Sequence, residues 1–174
     1  MTPNDIFIQM PATTCSTLLA DIFEHDKPLY KSLIDNLATQ RKLRPVFIER
    51  KPRPERFAWI RDALTRRQNE PAAANLLQIW LVSRHPAMLC DFLDALGINH
   101  DDNGTVNQIP PQPEKPAIEK AVTLLLEKYD PAIVALYLHA FQALGETAWP
   151  LLNDIIAADP RLQFAPAAPA APPT

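Results

Sequence analysis

Glycine is scarce in this chain, with 3 in 174 residues. β-Sandwiches, barrels and nucleotide-binding α/β folds spend glycine on tight turns and phosphate loops, so its scarcity argues against each of them. Cysteine is scarce too, at 2, which excludes a disulfide-rich scaffold. A chain of 174 residues is long enough to bury a core without such staples. Cys15 and Cys90 each sit in an apolar stretch. They read as small core residues in a reducing compartment, with one buried disulfide as the alternative. No stretch approaches the roughly 18 apolar residues of a membrane span. Met1-Thr2-Pro3-Asn4-Asp5 has neither the basic lead nor the apolar run of a signal peptide. The expectation is a cytoplasmic protein that does not engage a membrane.

Motifs that carry chemistry are missing as well. There is no G-x-S-x-G elbow and no Walker loop. His25, His85, His100 and His139 are not spaced for zinc from one another or from a cysteine. Cys90 lies among Met88, Leu89, Phe92 and Leu93, which suits an inert thiol. Asp91 and Asp94 read as the hydrated face of one helix. Asn99, Asp101, Asn103, Gly104 and Thr105 match the first ligand positions of a calcium loop. Pro110 stands where the closing bidentate Glu belongs, so the segment reads as an Asp/Asn/Gly turn. No cofactor and no metal is expected, and the reading leans away from an enzyme.

What the chain does have is proline, 19 of them. Proline starts a helix well and stops the preceding one. Between these stops, apolar residues recur at i, i+3 and i+4, the period of an amphipathic helix. Thr13 or Thr14 opens a helix ending near His25. Asp26 caps another, and Pro54 to Gln68 forms a third. Glu70-Pro71 opens a helix that is apolar nearly all round, and so does Asp130-Pro131; both belong at the centre. Arg44 to Arg53 holds Pro45, Pro52 and Val46-Phe47-Ile48, which predicts an extended or irregular connector. The fold class expected is all-α, with about seven helices packed as antiparallel hairpins. The arrangement is a compact bundle or a short HEAT-like stack.

A weak internal echo supports the hairpins. Arg84-His85-Pro86-Ala87 and Tyr129-Asp130-Pro131-Ala132 each join two apolar helices, with their prolines 45 residues apart. That spacing is similar to helical-hairpin repeats such as HEAT or armadillo. Residues 1–164 are expected to form one helical domain, with sub-parts at 1–43, 44–70 and 71–164. The Pro/Ala tail, 165–174, has nothing to bury and is expected to be disordered.

Charge is unevenly spread. Residues 41–67 hold ten Lys and Arg against Glu49, Glu55 and Asp62, a net of +7 in a chain of net −3. The remainder therefore carries −10. On the third helix, Phe57, Ile60 and Leu64 share a face, and Trp59 lies well off it, close to Arg66. Trp and Arg dominate binding hot spots. The candidate partner-binding residues are Arg50, Lys51, Arg53, Arg56, Trp59 and Arg66. The function expected is a non-catalytic helical interaction or scaffold module that binds an acidic protein partner or itself. The alternative is nucleic-acid binding through 41–67, with basic residues on phosphates and aromatic rings on bases.

Overall fold

Proline stands at the start of every α-helix among the described residues, which are 1–106, 108–145 and 149–164 of a computed structural model. Those residues form ten α-helices: α1 (Pro3–Gln9), α2 (Ala12–His25), α3 (Lys27–Gln40), α4 (Pro45–Glu49), α5 (Arg53–Leu64), α6 (Glu70–Arg84), α7 (Pro86–Ala95), α8 (Lys115–Lys128), α9 (Pro131–Leu144) and α10 (Pro150–Ala158). Short 3-10 turns at Arg67–Asn69 and Pro160–Leu162 complete the set. Nine of the ten carry proline at the first or second position, and Pro11 is the N-cap of α2. The missing proline N–H falls where a helix has no partner for it, and the fixed φ is already helical. The chain is all-helical, with no strand among the described residues.

Ten helices replace the expected seven or so, and α1 and α4 are the informative differences. α1 is only 7 residues long. Thr2 and Asp5 close it with a capping box, the Thr2 hydroxyl accepting from the Asp5 N–H at 3.3 Å and the Asp5 carboxylate from the Thr2 N–H at 2.8 Å. Ile6 and Phe7 are fully buried, and α1 packs on α5, α6 and α9. α4 corrects the extended connector. Pro45 presets its first turn, and Ile48, 1% exposed, anchors it in the core. That tertiary contact overrides the β-propensity of Val46-Phe47-Ile48.

The two helices expected at the centre, α6 and α9, do pack on each other, and α1 lies against both. Buried side chains from Ile6 to Leu162 form one connected cluster. α2 begins at Ala12, so Thr13 and Thr14 lie inside its first turn rather than capping it. Asp26 does cap α3, accepting the Leu29 N–H at 3.0 Å. Asp91 is not a hydrated residue as expected. It accepts the Tyr129 hydroxyl at 2.7 Å and the Lys128 ammonium at 3.1 Å, joining α7 to the end of α8. The Pro/Ala tail and the expected start of the last helix at Thr147 lie outside the described residues.

No single helix among the described residues is long and apolar enough to cross a membrane.

Candidate partner-binding surface

The basic segment divides into cations that the fold uses and cations that it leaves free. α3 ends at Gln40 with Arg41 as its C-cap, and Lys42 just beyond adopts a left-handed φ of 55°. Its N–H bonds the Thr39 carbonyl at 3.0 Å, and the Leu43 N–H bonds the Ala38 carbonyl at 2.9 Å. This is a Schellman stop with lysine where glycine is usual. The reversal sends Leu43 and Arg44 outward before Pro45 begins α4.

Of the six residues singled out from sequence, five are tied to neighbours. Arg53 meets Glu24 of α2 at 2.7 Å, and its guanidinium lies 5.0 Å over Phe23 and 5.3 Å over Phe57. Arg66 meets Asp62 at 3.1 Å, and Lys51 is 3.9 Å from Glu55. Trp59 is half-buried, and one face is covered by the Arg41 guanidinium at 5.0 Å. Arg41 also bonds Asp62 at 2.6 Å. Those Arg41 and Arg66 hydrogen bonds hold the Asp62 carboxyl below the usual range. Arg56 lies over Phe23 at 5.7 Å, with its Nε buried. Only Arg50 is both exposed and without an ion-pair or aromatic partner among the described residues.

Arg61 is used structurally. Its guanidinium donates to the Met10 carbonyl at 2.7 Å and the Phe7 carbonyl at 3.3 Å, so a cation closes the end of α1.

Arg50 has company that the sequence reading did not single out. Lys42 and Arg44 are also exposed and without an ion-pair partner among the described residues. Between them and Arg50 lie Leu43, Val46 and Phe47, exposed by 42%, 40% and 58%. Only five large hydrophobic residues are exposed among the described residues, and three of them fall in this one stretch. At about 100° per residue, Val46, Phe47 and Arg50 turn away from the buried Ile48. The result is a knuckle in which three exposed cations alternate along the chain with three exposed apolar side chains, with the exposed Glu49 next to Arg50 in sequence. The signal was present in sequence as Lys42-Leu43-Arg44-Pro45-Val46-Phe47, cations interleaved with apolar residues. The expectation of an extended or irregular connector hid it.

Other chemically able side chains are restrained. Burial pushes the Cys15 thiol up to about 11. Cys90 is half-buried rather than buried, and both thiols are free. Desolvation and the carboxylates of Asp94, Asp101, Asp102 and Asp91 raise the Cys90 pKa, which opposes the thiolate. Asp101 folds back on its own turn, accepting the Asn103 N–H at 3.0 Å and the Thr105 N–H at 2.8 Å. Its carboxylate organises the loop, as the Asp/Asn/Gly reading expected. His100 reaches the Asp101 carbonyl at 2.6 Å and the Asp94 carboxylate at 3.1 Å. It ties the loop to α7. No group of three or more acidic, His or Cys side chains among the described residues could hold a metal.

His139 donates from Nε2 to the Leu162 carbonyl at 3.1 Å and stacks on Phe164 at 4.5 Å. His85 packs edge-on against Trp80 at 4.5 Å. Burial lowers the pKa of both rings. The unfolded chain therefore takes up protons near pH 6.5 that the folded chain refuses. Stability is expected to fall as pH drops below about 6.5, by at most about 1.4 kcal/mol per pH unit for each ring, and by less where partial exposure lets solvent screen the charge. Urea midpoints measured between neutral pH and pH 5 check this. His139→Gln keeps a donor for Leu162 and should flatten the slope; an unchanged slope would show that His139 does not contribute.

A groove of about 470 Å³ runs between α6, α7, α9 and residues 104–106, 108 and 109, lined by Leu81, Leu89, Val106, Ile109, Tyr137 and Phe141. A second, of about 520 Å³, lies between α1, α2 and α5. Comparison with family models, curated proteins and solved structures found no match.

Proposed function

We propose that this chain is a non-catalytic helical interaction module that engages an acidic protein partner through its basic segment. The supporting observation is the knuckle at 42–50. Lys42, Arg44 and Arg50 are exposed and have no ion-pair partner among the described residues, and they share the stretch with exposed Leu43, Val46 and Phe47. A cation already paired and stacked, such as Arg53, must give up its partners to bind another anion. Free cations carry no such cost, so they should lead the contact. The raised thiol pKa values and the engaged histidines favour binding over catalysis.

In this reading residues 1–164 act as one domain in the cytoplasm. The pairs α6–α7 and α8–α9, with α7 against α8, serve as stacked hairpins in a short HEAT-like scaffold. The acidic remainder of a second copy offers the same chemistry as an external acidic partner.

The triple variant Lys42→Glu, Arg44→Glu, Arg50→Glu tests the proposal, because these side chains contribute no ion pair among the described residues to the fold. Pull-downs are run with wild type and variant, with and without nuclease. Partners captured by nuclease-treated wild type should be weakened roughly tenfold or more in the variant, about 1.4 kcal/mol or above. Partners that persist in the variant would remove the basic segment from binding. Partners that vanish with nuclease, with a steep salt dependence, would move the assignment to nucleic acid.

A further inference from the structure

The knuckle is neither a purely charged nor a purely apolar surface, and that mixture restricts its occupant. A partner offering charge alone would leave Leu43, Val46 and Phe47 in water, forgoing roughly 25 cal/mol for each Å² of apolar surface they could bury. A partner offering apolar surface alone would draw Lys42, Arg44 and Arg50 toward a dry interface without counter-charges. A nucleic acid would use one flat ring for stacking, and the aliphatic Leu43 and Val46 would find little to bury against a phosphate backbone. An extended polyanion or an anionic membrane would also meet the −10 carried by the rest of the chain.

We infer that the knuckle Lys42–Arg50 docks an acidic amphipathic segment of another protein, with bulky apolar side chains flanked by Asp or Glu. The apolar residues of that segment cover Leu43, Val46 and Phe47, and its carboxylates meet Lys42, Arg44 and Arg50. This rests on the protein-interaction reading above and adds the chemistry of the partner. Such recognition places an apolar anchor at the centre and complementary charge at the rim. Surface ion pairs alone contribute little, so most of the affinity comes from the apolar contact and the charges select the partner. Added salt is accordingly expected to weaken binding without abolishing it.

Selection of displayed random short peptides on the wild-type protein provides the test. Enriched peptides should combine carboxylates with Leu, Ile, Phe or Trp. Their affinities, read by fluorescence anisotropy, should fall tenfold or more on Leu43→Ser with Phe47→Ser, and again on Arg44→Glu with Arg50→Glu. Hydrogen exchange on the wild type, with and without peptide, supplies a readout that depends on no variant; protection should centre on residues 42–50. No enrichment, acidic peptides indifferent to Leu43 and Phe47, or protection elsewhere would each overturn the inference. So would phosphatidylserine-containing vesicles or a duplex oligonucleotide binding in place of the peptides, or self-association in sedimentation lost with the same substitutions. Suppose the captured partners disappear with the triple charge reversal yet survive Leu43→Ser with Phe47→Ser. The interaction module then stands and this partner chemistry fails.

Discussion

Gly104→Ala should destabilise the fold by about 2–4 kcal/mol in urea denaturation, because two independent costs fall on one atom. The first is conformational. Gly104 has φ +71°, where an L side chain is strained. The second is steric. An added Cβ would overlap the Leu89 Cβ and sit 3.0 Å from the Cys90 backbone nitrogen. Those atoms belong to α7, whose Leu89 is buried, so they cannot yield as a flexible side-chain tip would. Gly97 provides the internal control. It has φ +67° at the end of α7 but nothing within 4 Å of its Cβ position. Its N–H bonds the Asp94 carbonyl at 3.0 Å and the Ile98 N–H bonds the Leu93 carbonyl at 2.9 Å, a Schellman stop. Gly97→Ala should therefore carry only the conformational cost, about 1–2 kcal/mol. The difference between the two variants measures the contact with α7. Equal costs would mean the loop simply lifts away.

That contact matters to the loop as a whole. With Gly104 seated on α7, His100 can bridge the Asp101 carbonyl and Asp94. The Cys90 sulfur lies 3.6 Å from the Asp102 carbonyl. A segment resembling a calcium loop in composition is a strap pinned to a helix, and its carboxylate is spent on its own backbone N–H groups.

The helices were legible where a proline stop met a long apolar stripe. α9 could be placed in the core from composition alone, since a helix apolar all round has no face to give to water, whereas α6 packs on α1, α3, α5, α7 and α9 yet keeps Asn75, Gln78 and Ser83 exposed. α1 was not legible. Seven residues are too few to show a period, and its burial depends on α5, α6 and α9, far along the chain. α4 was misread because propensity is local and the Ile48 anchor is not. For the candidate surface, sequence yielded the number and sign of the charges but not their partners. Arg53 finds Glu24 29 residues away, and Arg41 finds Asp62 across 21 residues. Those pairings divide the ten cations into used and free, and they move attention from Trp59 and Arg66 to Lys42, Arg44 and Arg50. The exposure of Phe47 was invisible for a related reason. An apolar residue in sequence is counted as core until packing shows otherwise.

Asn4→Ala should cost about 2 kcal/mol, a large effect for one side chain on a seven-residue helix. Asn4 is 3% exposed, and its amide nitrogen donates to the Leu64 carbonyl at 2.6 Å and the Arg66 carbonyl at 3.0 Å. These groups close the end of α5, where a helix leaves carbonyls without partners. Asn69 performs the same service nearby, donating to the Ala63 carbonyl at 2.7 Å. Arg61 of α5 in turn closes the end of α1 through Met10 and Phe7. α1 and α5 therefore satisfy each other's C-terminal carbonyls, and this exchange binds the N-terminus to the helix that follows the basic knuckle. Removing the amide strands two acceptors, one of them fully buried, at roughly 1–3 kcal/mol each. The Asn4 carbonyl oxygen is itself buried without a partner among the described residues, so its removal offsets part of the loss. Asn4→Leu separates packing from hydrogen bonding, because it restores volume but no donor. It should remain destabilised relative to wild type in urea, whereas an Asn4→Leu variant as stable as wild type would show that the amide does not hold the helices together. Asn4→Asp should be the worst of the three, since it sets a carboxylate against carbonyl oxygens at the negative end of α5.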